Sequence, residues 1–230
     1  MTTPRARARA QTMSDIKRIA RDHLATDGAA ALSLRAVARD LGVVSSAIYR
    51  YVRSRDELLT LLVVDGYDAL GDAVDAALVG APEDPIQQFR IAARAVRTWG
   101  LAEPAWYGLL YGAPVPGSAA PADQTVDPGT RVIGTLLRLF EQAYRQRMLT
   151  PPADGVSISA TLAAEITGIR TEYGLELPDW LLVRALTLWS ALFGAVSFDV
   201  FDMYGPSTFT DRSEIFDLHI EAWVRLLGAG

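Results

Sequence analysis

Residues 32–59 read LSLRAVARDLGVVSSAIYRYVRSRDELL. Two short apolar patterns at helical spacing lie back to back in this stretch. Leu34, Val37, Ala38 and Leu41 form the first, Ile48 and Val52 the second, and Gly42 stands between them. Ser33 is placed to cap the first helix, and Ser45 or Ser46 to cap the second, which is very short. Ser54-Arg55-Asp56-Glu57 then reads as a capping box opening a longer helix through Leu58, Leu61, Leu62, Asp65 and Leu70 toward Leu78. Two helices joined by about four residues including a glycine predict a helix-turn-helix, with Ala38 small enough for a close crossing and Gly42 free to make the turn. If Ile48 and Val52 point inward, Ser45, Ser46, Tyr49, Arg50 and Arg53 point outward, with Tyr51 at the margin.

The same stretch carries five arginines in a chain of net charge −5. Residues 1–55 hold 11 Lys+Arg against 4 Asp+Glu, and residues 56–230 hold 11 against 23. A basic first quarter is thus joined to an acidic remainder of net −12, a split that suits a polyanion partner for the first part alone. Arginine and tyrosine on an exposed helix face can reach base edges and phosphates of a duplex. Arg5, Arg7 and Arg9 alternate in the first ten residues; they either enter a minor groove or track the DNA backbone, or they form a solvated, disordered tail.

With 230 residues, half of them hydrophobic, the chain can bury one large core or a small domain beside a medium one. It has no cysteine, which excludes disulfides, thiolate metal sites and cysteine nucleophiles, and it has only His23 and His219 as imidazoles. No metal, cofactor or catalytic constellation is expected, and His23 reads as a core or boundary residue. The basic start lacks the apolar run of a secretion signal, and Ala185–Phe198, the longest uncharged apolar stretch, falls short of a bilayer span. The expectation is a cytoplasmic protein with no membrane partner.

Helical spacing recurs along the chain, with no convincing period-two run, so the expected class is all-α. The first helix is expected from about Thr12 to Asp27, with Ile16, Ile19, Ala20, His23 and Leu24 on one face and Gly28 ending it. Later helices are expected at 85–100, 103–111, about 130–149, 157–173, 178–204 and 211–227, with the Pro-, Gly- and Ala-rich segment 112–129 a mobile loop.

The stretch resembles the DNA-binding signature of the TetR (tetracycline repressor) family over about residues 12–65, with no gap. The motif runs from Ser33-x-Arg35 through Val37-Ala38-x-x-Leu41-Gly42-Val43, then Ser45 and Ile48-Tyr49-x-Tyr51-Val52, to Ser54-Arg55-x-x-Leu58-Leu59. The resemblance implies that Arg35, Ser45, Ser46 and Arg50 read or flank base edges, while Tyr49, Tyr51 and Arg55 bond phosphates. Many relatives have lysine at position 55 and histidine at 51, where this chain has Arg55 and Tyr51. Ser45, Ser46 and Ala47 offer little base-specific bonding, so Arg35, Arg50 and DNA shape carry more of the reading.

The resemblance also implies an effector-binding and dimerising domain after the DNA-binding helices: residues 1–55 a helix-turn-helix domain with a basic arm, residues 56–230 a helical bundle. AEPAWYGLLYG and TLWSALFGAVSFDVF are similar to helices of a subgroup labelled by a Trp-His-Gly pattern, although Phe193-Gly194 stands in place of His-Gly. Ser190, Gly194 and Ser197 present small residues on one face, and the last helix carries Ile215, His219, Ala222, Trp223 and Leu226. These faces either build a four-helix bundle at a two-fold axis or pack into their own core; paired DNA half-sites favour the homodimer, with Ser190, Gly194, Ser197, His219 and Trp223 at its interface. The aromatics Trp99, Trp106, Tyr107, Tyr111, Phe140, Tyr144, Trp189 and Phe193 divide between core and a pocket for a flat or apolar effector. The function expected is a repressor released from a palindromic operator by a small apolar or aromatic molecule. The alternatives are a helical carrier or enzyme on the same fold, and an architectural DNA binder without effector.

Overall fold

The computed structural model describes residues 3–115, 120–153 and 158–229. Among them the chain forms α1 (Pro4–Asp27), a single 3-10 turn (Ala29–Ala31), α2 (Leu34–Asp40), α3 (Ser45–Ile48), α4 (Arg55–Leu78), α5 (Pro85–Ala102), α6 (Pro104–Tyr111), α7 (Ala122–Arg145), α8 (Ala160–Tyr173), α9 (Asp179–Val200) and α10 (Arg212–Leu227). No strand occurs among the described residues, and the all-α class stands.

The chain divides into two compact units, residues 1–69 with 103–129, and residues 70–102 with 130–230. In the first, Ile16, Ile19 and Ala20 of α1, Leu34, Val37 and Ala38 of α2, Ile48, Val52, and Leu58, Leu59 and Leu62 of α4 form one buried cluster. α6 belongs to this unit although it lies far beyond residue 55. Leu109 packs on that cluster, the Arg21 guanidinium lies 4.5 Å from the Trp106 ring centroid, and Arg21 reaches Glu103 at 2.5 Å. Tyr107, Tyr111 and Tyr67 continue the contact, with ring centroids 5.0 Å and 6.1 Å apart in succession.

The second unit is built on α5, α7, α9 and α10. Phe89 and Val96 of α5, Leu136 and Phe140 of α7, Leu188, Leu192 and Val196 of α9, and Phe216 and Ile220 of α10 are buried. Along α5, Arg90, Arg94 and Arg97 recur at helical spacing and each meets a carboxylate. Arg90 grips Glu221 through two bonds of 2.7 and 2.8 Å, Arg94 meets Asp217 at 2.8 Å, and Arg97 meets Asp199 at 2.6 Å. The Arg90 guanidinium holds the Glu221 carboxyl below its ordinary range. α9 is long and apolar enough to cross a membrane by length and composition, but its inner side is the core of this unit.

Several boundaries differ from the expected ones. α1 begins at Pro4 rather than near Thr12, because Thr3 accepts a hydrogen bond from the Ala6 amide at 3.2 Å and proline suits the first turn. Alternating alanine and arginine, both good helix formers, continue it. The arginine segment is therefore an exposed helix rather than a disordered tail. Residues 122–129 of the expected loop are the start of α7, despite Pro128, and Gly129 there lets the Tyr67 ring come within 3.3 Å of where a Cβ would stand. α9 stops at Val200 instead of Tyr204, with Asp202 at φ 53 turning the chain. Residue 157, the expected start of α8, lies outside the described residues, as do 116–119 of the loop.

The three arginines of α5 should contribute unequally. Arg97 and Asp199 keep only 17% and 3% of their side-chain surface, whereas Arg94 and Asp217 keep 46% and 50%. Arg97→Ala, which strands a buried carboxylate, should cost about 3–5 kcal/mol in urea unfolding, and Arg94→Ala less than about 1 kcal/mol. Equal losses would contradict this assignment.

Candidate nucleic-acid interface

α2 ends where the Leu41 amide bonds the Val37 carbonyl at 2.9 Å and the Val43 amide bonds that of Ala38 at 3.0 Å. Gly42 completes the reversal at φ 77, a left-handed conformation that favours glycine. The serine caps expected on either side are not formed. Ser33 sits at the N-cap of α2 without a side-chain bond, and Val44, not Ser45 or Ser46, occupies the N-cap of α3. The box after α3 is half as expected: the Glu57 amide donates to Ser54 Oγ at 3.1 Å, but the Glu57 carboxylate takes the Arg53 amide at 2.6 Å.

α3 is one turn long, extended by tighter turn bonds from Arg50 to Ala47 and from Tyr51 to Ile48. Ile48 and Val52 are wholly buried, which fixes its rotation. Ser45, Ser46, Tyr49, Arg50 and Arg53 are exposed, as is Arg35 on α2, and Tyr51 is half-buried. Six of the seven residues expected to meet DNA therefore lie on, or at the margin of, the accessible surface of this motif.

Arg55, the seventh, has other partners. Its Nε donates to the Leu32 carbonyl at 3.1 Å and its Nη2 to those of Ala29 and Ala30 at 2.8 and 3.1 Å. The side chain thus ties the start of α4 to the 3-10 turn ahead of α2. A lysine has a single ammonium and could not span these three carbonyls with the same fork.

Two further contacts were not apparent in the residues alone. Arg9 of α1 donates to the Arg50 carbonyl at 3.3 Å and lies 5.2 Å from the Tyr51 ring centroid, which sets the arginine-bearing end of α1 beside the end of α3. His23 Nε2 and Asp40 Oδ2 are 2.7 Å apart, and Arg39 Nε reaches Asp40 Oδ1 at 3.1 Å. The bonds from His23 and then Arg39 hold the Asp40 carboxyl below its ordinary range. Asp40 is the one acid between Leu32 and Arg55, and it is neutralised in place.

The remaining sequence-predicted residues are distributed rather than gathered. Trp106, Tyr107 and Tyr111 belong to the first unit; Trp99, Phe140, Tyr144, Trp189 and Phe193 belong to the second. Within the second, Phe140 packs edge-on against Phe89, Tyr144 against Trp180, and Trp189 against Phe193, so the eight form no single set. Burial pushes the Tyr111 hydroxyl far above its ordinary range. Of the expected interface residues, Ser190 and Gly194 are exposed on α9, while Ser197 donates its hydroxyl to the Phe193 carbonyl at 2.8 Å. Trp223 is buried against Phe216 and stacked on His219, so it is part of the core of the second unit. The outward stripe of α10 is instead Leu218, Ala222 and Leu226.

A buried apolar anchor beneath a short helix, with arginines, tyrosines and serines on its open side, defines a helix-turn-helix DNA-binding protein. Comparison with known proteins agrees. Residues 18–62 match the model for bacterial regulatory proteins of the tetR family, and residues 89–223 that for the tetracyclin repressor-like C-terminal domain. The chain is 42% identical over 224 residues to the HTH-type transcriptional regulator Rv1816 of Mycobacterium tuberculosis (strain ATCC 25618 / H37Rv), covering 96% of this chain and 94% of that protein. Among solved structures, the regulatory protein SCO4313 aligns with a TM-score of 0.77 at 31% identity, over 97% of this chain and 100% of that one. RolR, solved in complex with resorcinol, shares the fold with a TM-score of 0.58 at 18% identity, over 97% of this chain and 91% of that one. The chain belongs to the TetR family of DNA-binding transcriptional regulators.

The fork of Arg55 predicts a scaffold role. Arg55→Ala should lower stability by about 1.5–3 kcal/mol, the value of hydrogen bonds to a charged group, and weaken specific and non-specific DNA binding together. Unchanged urea unfolding with lost DNA affinity would show instead that Arg55 acts on phosphate.

Proposed function

We propose that this protein is a homodimeric repressor that holds a palindromic operator and leaves it when a small apolar or aromatic molecule binds. The carrying observation is the surface of α3 and of the turns that follow it: Tyr49, Arg50 and Arg53 are open to solvent around the buried anchor of Ile48 and Val52. Arg50 and Arg35 are assigned to base edges, with Ser45 and Ser46 flanking them, and Tyr49 and Tyr51 to phosphates. Arg5, Arg7 and Arg9 extend the phosphate contacts along α1, and Arg55 holds the motif together. Repression of this kind places the protein in the cytoplasm, with its DNA.

Dimerisation is proposed through α9 and α10. Phe198 on α9 is 41% exposed, and Leu218 and Leu226 on α10 are 59% and 43% exposed. Exposed apolar side chains on two helices that pack together suit a four-helix interface about a two-fold axis. A Cβ at Gly194 would meet nothing within 4 Å in its own chain, so packing within the chain does not require glycine there, and in the proposed dimer it is assigned to the approach of a second copy. Gly194→Leu should leave subunit unfolding nearly unchanged and weaken the dimer by about 1–3 kcal/mol through overpacking, read by analytical ultracentrifugation. A substitution that destabilises the subunit and leaves the dimer intact would contradict this.

The effector class follows from charge. Residues 56–230 carry a net charge of −12, and Arg90, Arg94, Arg97, Arg131, Arg145, Arg170 and Arg212 are each already held by a carboxylate, which disfavours a multiply charged anion. Aromatic side chains offer an apolar molecule dispersion contacts and a few polar tips. The resorcinol complex of RolR supports the capacity of this fold to hold a small aromatic. Trp99, Phe140, Tyr144, Trp189 and Phe193 are the proposed contacts within the second unit, and Trp106, Tyr107 and Tyr111, which belong to the first, are not assigned to the same pocket.

Fluorescence-anisotropy titration of an operator selected from random duplex tests the whole reading. Arg50→Ala should cost about 1–3 kcal/mol on the selected site and flatten base preference at one position, while Tyr49→Phe should weaken all duplexes alike. Aromatic compounds that raise the melting temperature should also release the operator, since effector and DNA affinity are reciprocally coupled. Unaltered affinity in both variants, or stabilising compounds that never affect DNA binding, would overturn it.

A further inference from the structure

We infer that Val44 reads sequence, packing its side chain against the C5-methyl group of a thymine in the major groove. This rests on the DNA-binding reading above and adds a base-reading residue to it. Among the described residues of the first unit, four large hydrophobic side chains are exposed: Val43, Val44, Tyr49 and Val126. Three of them fall within seven residues of the turn and α3, and Val44 is the most open at 71%. A lone exposed valine needs no explanation. This one is part of an uncharged run, Leu41 to Tyr49, bounded by the exposed Arg39-Asp40 pair on one side and exposed Arg50 on the other.

The fold itself gives no reason for valine at this position. Val44 is the N-cap of α3, with an extended backbone at φ −66 and ψ 144 that any residue adopts. Serine, threonine, aspartate or asparagine would serve better there, because each offers an oxygen to the free amides of the first turn, and α3 has no such bond. Local stability therefore argues against valine, and an apolar partner outside the chain accounts for it. In a helix-turn-helix the N-terminal residues of the second helix approach the base edges. The thymine methyl is the apolar group those edges present in the major groove. Ser45, Ser46 and Ala47 are short, so they allow the close approach such a contact needs. The surrounding arginines supply the attraction to the duplex, and Val44 supplies discrimination that they lack.

The test uses the full-length protein and the operator selected above, with each thymine in turn replaced by deoxyuridine, which deletes only the methyl group. At one symmetry-related pair of thymines the wild-type protein should bind about fourfold more weakly per half-site, the value of one buried methyl group. Val44→Ser should bind the thymine and deoxyuridine forms of that pair equally, while keeping any sensitivity the wild type shows elsewhere. Its melting temperature should be equal or higher, because serine is the better cap. Wild-type indifference to deoxyuridine at every position, or a Val44→Ser protein that keeps the wild-type loss at the sensitive pair, would overturn the inference. Failure to enrich any operator would overturn the DNA-binding reading instead, so the two failures are distinguishable.

Discussion

The burial of Ile48 and Val52 beneath α3 is the constraint on which the DNA-binding unit depends. A helix of one turn has no stability of its own, since nucleation costs more than so few bonds return. What holds α3 is the insertion of two branched side chains into the cluster formed by α1, α2 and α4, where both are fully buried. Their spacing of four residues sets one face inward and leaves every polar and cationic side chain of the element on the other. Ala38 and Gly42 permit the crossing, and Arg55 closes the far side by holding three carbonyls ahead of α2. Chemistry toward DNA is thus displayed by residues whose own positions are decided by apolar packing.

Charge is organised to the same end. Between Leu32 and Arg55 the one acid, Asp40, is held by His23 and Arg39, so its opposition to a polyanion is reduced. In the second unit the logic is reversed: Arg90, Arg94 and Arg97 of α5, Arg131 and Arg145 of α7 and Arg170 of α8 are each matched by a carboxylate, and a net negative charge remains. Such a chain is drawn to a duplex by its first quarter and repelled elsewhere, which favours one orientation of encounter.

The helix-turn-helix was legible because its signals are local: apolar spacing, a glycine at the turn, and charge on the outer face. The wrong cap assignments arose because a serine beside a helix start looks alike whether or not its hydroxyl is turned to the amides. The first two turns of α1 were hidden for another reason. Arg5 to Arg9 carry no apolar stripe, and only Thr3, Pro4 and the propensity of alanine and arginine mark the helix. Pro128 and Gly129 made the start of α7 look like loop, although tertiary contact with Tyr67 accommodates the glycine. The arginines at 90, 94 and 97 were a readable pattern, spaced to line one side of a helix, yet their partners lie more than 100 residues away. The aromatic set could not be sorted at all, since which ring meets which is decided by packing between distant helices. Trp223 shows the cost: it lies on a plausible stripe of α10, but the exposed side is that of Leu218, Ala222 and Leu226.

The central claim is that two copies of α3 present one rigid surface each to a two-fold DNA site. Hydroxyl-radical footprinting of the selected operator addresses it directly. The account predicts two equivalent protected segments, related by the operator's dyad and centred about 10 base pairs apart or a multiple of that. A single protected segment, or uniform protection along the duplex without symmetry, would contradict it.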